Sequence, residues 1–468
     1  GNAKPIPLRT HGNDEGPNIE SRPDSNRNAT HSLLLDGQRK RSMIEQVLKP
    51  KNLYMARRKV ESNGGSPGAD GMRTGELKAH LDKNQTVILA AIRSRRHKAS
   101  PILGVEIPKS NGKTRTLGVP TVTERWLQQA VSQQLAAKFE LDFEEESYGF
   151  RPKRRLHQAV QQALKHINDG YQDIVDIDLK RFFDEVAHYK LLQLVYEKVK
   201  CPDTLWLIRK WLRAPILIKG RLHKRRKGVP QGSPLSPLLS NILLDVLDKE
   251  LKRKGLRYVR YADDFSIYAK TKTEARKIDY QVRQFLREKL DLPVNRDKSG
   301  IRRPVNFELL GYGFVPTYVK GEKGKYQLVA KQGSWDKLKR KLKQVTKKTI
   351  PYSFDERIAK LKVIYRGWVN NYRLASIHAK LKSLDEWFRN RLRYCIWHHW
   401  KKLERKRKNL IRLGVEQQQA YAWSRTRMGG WAVAQSPILG TTITLTRLRQ
   451  RGYEPMLDYY RKFQPEIQ

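Results

Sequence analysis

The chain has 468 residues, more than one ordinary hydrophobic core can organise, so its length predicts two to four subdomains. It carries 95 Lys and Arg against 47 Asp and Glu, a formal net charge of +48, and a field of this sign attracts polyanions. Nucleic acid is therefore the predicted partner, and the lack of an apolar run near the roughly 20 residues that a membrane span needs argues against a membrane protein.

The two cysteines, Cys201 and Cys395, lie far apart and have no Cys or His neighbours at zinc spacing. This pattern argues against disulfides and structural zinc, and it is typical of a reducing compartment. The N-terminus also lacks the charged-then-apolar pattern of a signal peptide. We therefore expect a cytoplasmic protein, with the bacterial cytoplasm as its setting.

The first third of the chain predicts an extension, helices and a hairpin. Residues 1 to 35 are rich in Asn, Pro, Gly and Ser and predict a mobile segment. Helical spacing follows in "QRKRSMIEQVLKPKNLYMARRKVE", and the alternation of "ILGVEIPK" and "TRTLGVP" around an Asn-Gly pair predicts a β-hairpin. The amphipathic "TERWLQQAVSQQLAAKF" predicts a helix with Thr123 as its N-cap.

The middle of the chain predicts strands and helices together. "DIVDIDLKRFF" has the composition of a strand, and "SPLLSNILLDVLDKELKRKG" predicts a helix with Ser236 as N-cap, Pro237 at the first position and Gly255 as the stop. Beyond about residue 330 the pattern becomes helical and very basic. The predicted fold class is therefore α+β, followed by a mostly helical region.

Four aspartates lie at two acidic sites on predicted strands. "YVRYADDFSIYAK" predicts strand, tight turn and strand, and at such a turn Asp263 and Asp264 can lean toward one cleft. Asp176 and Asp178, two residues apart, share one strand face. On spacing alone two interpretations stand: polar turn residues, or a site for Mg²⁺, which takes carboxylate oxygens and serves phosphoryl transfer in pairs.

An ordered set of motifs resembles one enzyme family. "YADD", with "DLKRFF" upstream and "PQGSPLSPLLSNILL" between them, resembles the palm of reverse transcriptases, most closely the group II intron-encoded branch. Further pieces match that branch in the same order over roughly residues 40–400: "IPKSNGKTRTLGVPTVTERWLQQAV", "SYGFRP", "LPVNRDKS", "FELLGYGF" and "GWVNNYR". The resemblance implies a right-hand polymerase with fingers and a palm built of antiparallel sheet plus helices, followed by an α-helical thumb.

The resemblance also divides the chain into five segments. These are a flexible N-terminal extension (1–35), a helical extension of the fingers (36–95), the fingers and palm (96–325), a helical, maturase-like thumb (326–400) and a basic nucleic-acid-binding C-terminal region (401–468). The tail lacks the Cys-pair and His-rich pattern of the DNA endonuclease domain that some relatives carry. We therefore expect no independent cutting of a target strand.

The resemblance assigns the metal site and the proton donor. Asp178, Asp263 and Asp264, assisted by the backbone carbonyl of Leu179, would bind Mg²⁺, with Mn²⁺ as a substitute. Lys298, in "NRDKS", matches a lysine that protonates the pyrophosphate leaving group, although its spacing alone is equally typical of a solvated lysine.

Other motif positions would contact the nucleotide. Lys109 and Arg115 match the fingers residues that grip the triphosphate, and Phe183 matches the steric gate against a 2′-hydroxyl, although without the motif it would read as a core aromatic. Gln231 matches the segment that supports nucleotide and template. Many relatives carry glycine where this chain has Ser233, a departure that bears on fidelity or primer preference.

Aromatic and basic positions leave two alternatives each. Phe150 and Arg151 would flank template or nucleotide, or "GFRP" is a structural turn. Trp397 and Trp400 would stack on bases or act as buried anchors. A helical stripe predicts core packing in the thumb; its members are Phe388, Leu392, Cys395, Ile396 and His399.

The resemblance implies an RNA-directed and DNA-directed DNA polymerase that extends a DNA primer with dNTPs on an RNA or DNA template. Two other roles stay open: a maturase that binds intron RNA and assists splicing, and a free-standing reverse transcriptase that repairs DNA by annealing microhomologies and filling gaps. A third alternative, an RNA-dependent RNA polymerase, is disfavoured by Phe183 at the gate position. The small side chain of Ala262 beside the carboxylates leaves room for a primer terminus, so a bulkier residue there is expected to change primer use or metal preference.

Overall fold

The computed structural model describes residues 42–109 and 112–464, so the predicted N-terminal extension of residues 1–35 lies outside the described residues. The described residues contain eleven strands: β1 (Ile102–Pro108), β2 (Thr114–Val119), β3 (Asp173–Ile177), β4 (Ile216–Ile218), β5 (Arg221–His223), β6 (Arg257–Tyr261), β7 (Asp264–Ala269), β8 (Gly300–Arg302), β9 (Glu308–Leu309), β10 (Tyr312–Pro316) and β11 (Tyr326–Ala330).

The helices before the last sheet are α1 (Met43–Val47), α2 (Pro50–Asn63), α3 (Leu77–Arg93), α4 (Val122–Phe139), α5 (Leu156–Asn168), α6 (Phe182–Glu185), α7 (His188–Val199), α8 (Pro202–Arg213), α9 (Ser236–Arg253) and α10 (Lys272–Phe285). Those after it are α11 (Gln332–Val345), α12 (Phe354–Tyr372), α13 (His378–His399), α14 (Leu403–Arg412), α15 (Gln417–Ser424), α16 (Gly430–Ala434), α17 (Pro437–Gly440), α18 (Leu445–Gln450) and α19 (Met456–Arg461).

The N-terminal helices differ from the prediction in two details. The single predicted helix is divided into α1 and α2, because Pro50 keeps the preceding Lys49 extended and begins a new helix. The N-cap of α4 is Thr121, whose hydroxyl accepts a hydrogen bond from the Glu124 N–H at 3.3 Å; Thr123 lies inside the first turn. The assignment of Thr123 as the cap was therefore wrong by two residues.

The predicted hairpin is confirmed and belongs to a four-stranded sheet. β1 and β2 pair antiparallel from Leu103↔Val119 to Pro108↔Thr114, in the sheet order β2-β1-β4-β5. Gly112 has φ +80° at the turn, a conformation that suits glycine. Its predicted partner in the turn, Asn111, lies outside the described residues.

The central sheet has the order β6-β7-β3-β8 and is antiparallel throughout. The predicted strand–turn–strand is confirmed, since Tyr261 pairs with Asp264 across the turn. β3 is shorter than predicted: it ends at Ile177, and the chain turns into α6 at Phe182. Apolar side chains of α4 and α9, among them Trp126 and Leu243, form a buried core with this sheet.

Helix α9 begins one residue earlier than the sequence predicted, because Leu235 and not Ser236 occupies the N-cap position. Ser236 is the first helical residue and not the N-cap; Leu235 occupies that position and caps nothing with its apolar side chain. The Ser233 hydroxyl accepts a hydrogen bond from the Leu235 N–H at 3.2 Å instead. Gly255 as the stop is confirmed, because it follows the helix with φ +66°.

The C-terminal part is a small sheet, in the order β11-β10-β9, followed by helices, as predicted. The stripe on α13 is buried except for its last member, since His399 is exposed. Trp397 and Trp400 are 5% and 6% exposed, which makes them buried anchors and not a stacking surface. Both cysteines are buried and unpaired. Across the described ranges, we find no helix with the length and apolarity to cross a membrane.

Candidate active site

The register of the central sheet brings three aspartates to one end. β6 and β7 are joined by a turn of two residues, Ala262 and Asp263, and Asp264 begins β7. Because Ile177 pairs with Phe265, the residue after β3, Asp178, lies beside Asp264. Each aspartate therefore stands where a strand meets a turn, which frees its carboxylate from the strict alternation of a strand.

The environment of these carboxylates disfavours their charge. Burial, with the charges of Asp176, Asp263 and Asp178, raises the pKa of Asp264 to about 7. Burial and then the charge of Asp178 likewise raise the pKa of Asp263, against the opposing effect of its own backbone N–H and of Arg260. Both pKa values are raised, because water solvates the site poorly and the acids repel one another.

Asp176 differs from the other three acids because it has a basic partner. Its carboxylate accepts a hydrogen bond from Nε of Arg302 at 2.8 Å. Asp178, Asp263 and Asp264 form no ion pair within the described ranges, although the chain has 95 Lys and Arg. The sequence placed Asp176 and Asp178 on one face; the structure assigns them different surroundings.

The "LPVNRDKS" segment runs along the chain that follows β3. Asn295 N–H donates to the Asp178 carbonyl at 2.8 Å, and Lys180 N–H donates to the Pro293 carbonyl at 2.9 Å. The Asp178 N–H in turn donates to the Ser299 hydroxyl at 2.9 Å. These bonds fix the backbone around Asp178 and place the exposed Lys298 next to it in the same segment.

The predicted steric gate is tied to the segment before the "PQG" motif. Phe183 is half-buried, with its ring 5.3 Å from that of Phe182, and its carbonyl accepts from Val229 N–H at 2.7 Å. A Cβ on Gly228 would come within 2.7 Å of the same carbonyl oxygen, so only glycine allows this approach. Buried His188 holds the Gly228 carbonyl at 2.7 Å.

The predicted nucleotide contacts from the fingers are accessible. Lys109 and Arg115 are exposed on the β1–β2 hairpin. Gln231 is half-buried between this hairpin and α9, where Gly232 N–H donates to the Gly118 carbonyl at 2.9 Å. A Cβ on Gly232 would stand 2.2 Å from that oxygen, so the motif's glycine is needed for the close approach.

The two members of "GFRP" have different surroundings. Phe150 is 56% exposed, has φ +55°, and its ring lies 6.4 Å from that of Tyr261 at the end of β6. The Arg151 guanidinium is buried, pairs with Glu140 at 2.9 Å and donates to the Ser147 carbonyl at 2.7 Å. These contacts favour the structural alternative for Arg151 and leave Phe150 available to a ligand.

Sequence reasoning missed the groups that hold the acidic turn. Gly149 packs against Ala262, and the buried Arg260 donates to the Ala262 carbonyl at 2.8 Å. Ser233, noted only as a departure from glycine, donates to the buried Gln128 side chain at 2.9 Å. The available signal was Arg260 itself, a charged residue flanked by apolar and aromatic residues in the sequence "YVRYA".

The donor set at the sheet end fits a hard divalent cation. All three side chains offer carboxylate oxygens, the ligands that Mg²⁺ prefers, and a cation there would relieve their mutual repulsion. In residues 42–109 and 112–464, no three Asp, Glu, His or Cys side chains converge as a preformed metal cluster. The register of the strands thus brings the three donors to one end of the sheet.

Comparison with known proteins identifies the family. Residues 107–314 match the family described as "Reverse transcriptase (RNA-dependent DNA polymerase)", and residues 335–414 match "Group II intron, maturase-specific domain". Together the two matches span the segments in which the motifs were found.

Individual proteins are similar to this chain over part of its length. The chain is 30% identical to Protein YkfC of Escherichia coli (strain K12), over 55% of this chain and 78% of that protein. It is 29% identical to the group II intron-encoded protein LtrA of Lactococcus lactis subsp. cremoris, over 58% of this chain and 56% of LtrA, so it spans about half of that relative. A chain of the solved partial Cas6-RT-Cas1–Cas2 complex is 27% identical, over 53% of this chain and 41% of that chain, with a TM-score of 0.33. The resemblance seen in the motifs is confirmed: this chain belongs to the group II intron-encoded reverse transcriptases, with their right-hand polymerase fold and maturase-specific domain.

Proposed function

We propose that the protein extends a DNA primer with dNTPs on an RNA or a DNA template. The observation that carries this proposal is the set of Asp178, Asp263 and Asp264, three carboxylates at one sheet end without a basic partner among the described residues. In a chain of net charge +48, acids that stay unpaired point to a cation that arrives with the substrate.

These residues would hold Mg²⁺, or Mn²⁺ in its place, together with the backbone carbonyl of Leu179. Bound there, the metal supplies positive charge for the attacking 3′-hydroxyl and for the pyrophosphate that leaves. The chain's own residues do the rest of the positioning. Among them, Lys298 lies in the segment bonded to Asp178 and is the proposed proton donor to pyrophosphate.

The fingers residues orient and select the nucleotide in this proposal. Exposed Lys109 and Arg115 grip the triphosphate, a role suited to fixed positive charge. The ring of Phe183 excludes the 2′-hydroxyl. Its position is fixed because the Phe183 carbonyl accepts a hydrogen bond from Val229 N–H. Gln231 and exposed Phe150 border the path of template and nucleotide.

Primer extension tests the proposal directly. We expect Asp178→Asn and Asp263→Asn to lower the extension rate by at least about 10³-fold on matched RNA and DNA templates, while template binding changes little. Asp176→Asn is the comparison variant, because this acid lies on the same strand face but already has Arg302 as its partner; its extension rate should fall far less. Synthesis retained in the Asp178 and Asp263 variants would rule the proposal out.

The gate has its own test. Phe183→Val should increase rNTP incorporation relative to dNTP incorporation, whereas Phe182→Leu, a change in the buried neighbour, should not. An unchanged ratio in the Phe183 variant would remove that residue from the nucleotide site.

A maturase role is the second candidate, favoured by the match of residues 335–414 to the group II intron maturase-specific domain. In this role the protein binds intron RNA through its basic helices and assists splicing. Splicing assistance and RNA binding should then survive Asp263→Asn, since neither uses the carboxylates. An intron RNA sequence flanking the gene would favour this role, and a free-standing gene would favour repair by microhomology annealing and gap filling.

The setting proposed for these activities is the bacterial cytoplasm. Two unpaired, buried cysteines suit a reducing compartment, and the similar proteins from Escherichia coli and Lactococcus lactis are bacterial.

A further inference from the structure

Arg260 is a fully buried arginine whose five N–H groups all have acceptors. Nε and Nη2 form a two-pronged pair with the Asp248 carboxylate, at 2.8 and 2.7 Å. Nη2 also donates to the Ser147 hydroxyl at 2.8 Å, and Nη1 donates to the Asn241 side-chain oxygen at 3.0 Å. Arg260 and Asp248 both have 0% exposed side chains.

The last donor of Arg260 reaches the acidic turn. Its Nη1 donates to the carbonyl of Ala262 at 2.8 Å, and Ala262 directly precedes Asp263. The guanidinium therefore joins three parts of the molecule at one point: helix α9 through Asp248 and Asn241, the segment before Gly149 through Ser147, and the turn itself.

The backbone around Arg260 holds the same segment from the other side. Arg260 N–H donates to the Glu146 carbonyl at 2.9 Å, and the Arg260 carbonyl accepts from Tyr148 N–H at 2.9 Å. Asn241 donates to the Gly149 carbonyl at 2.9 Å, and Gly149 lies so close to Ala262 that a Cβ at position 149 would stand 2.5 Å from the Ala262 nitrogen. Ala262 is thus hydrogen-bonded at its carbonyl and closely packed at its nitrogen.

The turn needs such support. Ala262 has φ +56°, a strained conformation for a non-glycine residue, which persists only where the surroundings fix it. The next two residues, Asp263 and Asp264, carry neighbouring carboxylates that repel each other. A buried ion pair alone stabilises a fold little better than apolar residues of the same size would. Its position behind this turn therefore calls for a geometric reason.

We propose that Arg260 is a positioning residue for the metal site: through the Ala262 carbonyl and Asp248 it fixes the turn so that Asp263 and Asp264 can bind a divalent cation together. This inference rests on the proposed function of these aspartates. Outer-shell partners of metal ligands typically contribute 10–100-fold to metal affinity, and Arg260 acts here on the backbone that carries the ligands.

The test measures the affinity of the complex with template and primer for Mn²⁺, by electron paramagnetic resonance. We expect Arg260→Lys to weaken Mn²⁺ binding by about 10-fold, because lysine keeps the charge but cannot reach Asp248 and the Ala262 carbonyl at once. Arg391→Lys is the matched control, since Arg391 is also buried and donates to the Thr346 carbonyl at 2.9 Å, but lies in the thumb.

A second variant guards against loss of folding. Arg260→Met combined with Asp248→Leu removes both charges and leaves no buried ion unpaired, so it should fold while showing the same weakened Mn²⁺ binding. A purely structural role would lower the melting temperature of these variants without changing the Mn²⁺ affinity of the folded protein.

Three results are distinguishable. Weaker Mn²⁺ binding in both Arg260 variants, with Arg391→Lys unchanged, supports the inference. Wild-type affinity in either folded Arg260 variant overturns it and leaves the polymerase proposal intact. Mn²⁺ binding that is absent from the wild-type complex, or unaffected by Asp263→Asn, overturns both.

Discussion

Gly149 lies against the backbone of Ala262, so closely that a Cβ at position 149 would stand 2.5 Å from the Ala262 nitrogen. No side chain can move to relieve that overlap, because the obstructing atoms belong to the backbone of the turn. Gly149→Ala should therefore displace the turn, destabilise the fold by about 1–3 kcal/mol and lower the extension rate by about 10²-fold. Denaturation and single-turnover extension measure the two effects.

Gly300→Ala is the control for this change. Gly300 lies in the same central sheet, but a Cβ there would meet nothing within 4 Å. Its extension rate should stay near that of the wild type, and a Gly149 variant that behaves in the same way would show that the turn tolerates displacement.

Some parts of this site could be predicted from the sequence and others could not, for physical reasons. Asp178, Asp263 and Asp264 could be predicted because they lie in short motifs whose order along the chain is itself a signal. The support around Arg260 could not, because its side-chain partners beyond the turn lie between 12 and 113 positions away and meet only after folding. Helix starts failed for a local reason: Thr121 and Thr123 are both plausible caps, and only the backbone decides between them.

Arg115 and Arg151, both predicted to contact substrate, should respond in opposite ways to replacement. Arg115 is exposed, so Arg115→Ala should raise the KM for dNTPs by about 10-fold or more and leave stability unchanged. Arg151→Ala leaves Glu140 and two carbonyls without their donor and should lower the free energy of unfolding by about 2–4 kcal/mol. Steady-state kinetics and urea denaturation on both variants check this; a raised KM in folded Arg151→Ala would restore its substrate role.

Ser233 should influence stability and not primer choice. Its hydroxyl points into the core, where it donates to Gln128, so Ser233→Ala should lower the free energy of unfolding by about 1 kcal/mol. A double-mutant cycle with Gln128→Leu should show that the two changes are not additive. Ser233→Gly should leave the ratio of rates on different primers unchanged, and a shifted ratio would show that the serine reaches the primer after all.

Ala262 is expected to tolerate a larger side chain at a cost. Isoleucine is β-branched, and at φ +56° it should cost about 1–2 kcal/mol of stability. Ala262→Ile should still synthesise DNA but change its preference among primers or between Mg²⁺ and Mn²⁺. Ala262→Gly, which relieves the strain without adding bulk, is the control. Identical kinetics for both variants across primers and metals would show that bulk at this position has no role.

We expect His166 to make the packing against the central sheet sensitive to acid. The ring packs 5.1 Å from that of Tyr268 on β7, and its Nδ1 has no hydrogen-bond partner within the part of the chain that the structure describes. Burial, and then the charges of Arg257 and Lys165, lower the pKa of His166 to about 4. A histidine whose pKa falls on folding binds more protons when unfolded, so its contribution to stability is complete above about pH 6.5 and is lost as the pH falls toward 4.

The free energy of unfolding of the wild type should drop across that range by about 2–3 kcal/mol more than that of His166→Gln. His399→Gln, which changes an exposed ring, should follow the wild type. Urea denaturation between pH 4 and 7.5 measures the three slopes, and equal slopes for the wild type and His166→Gln would show that this histidine does not limit acid stability.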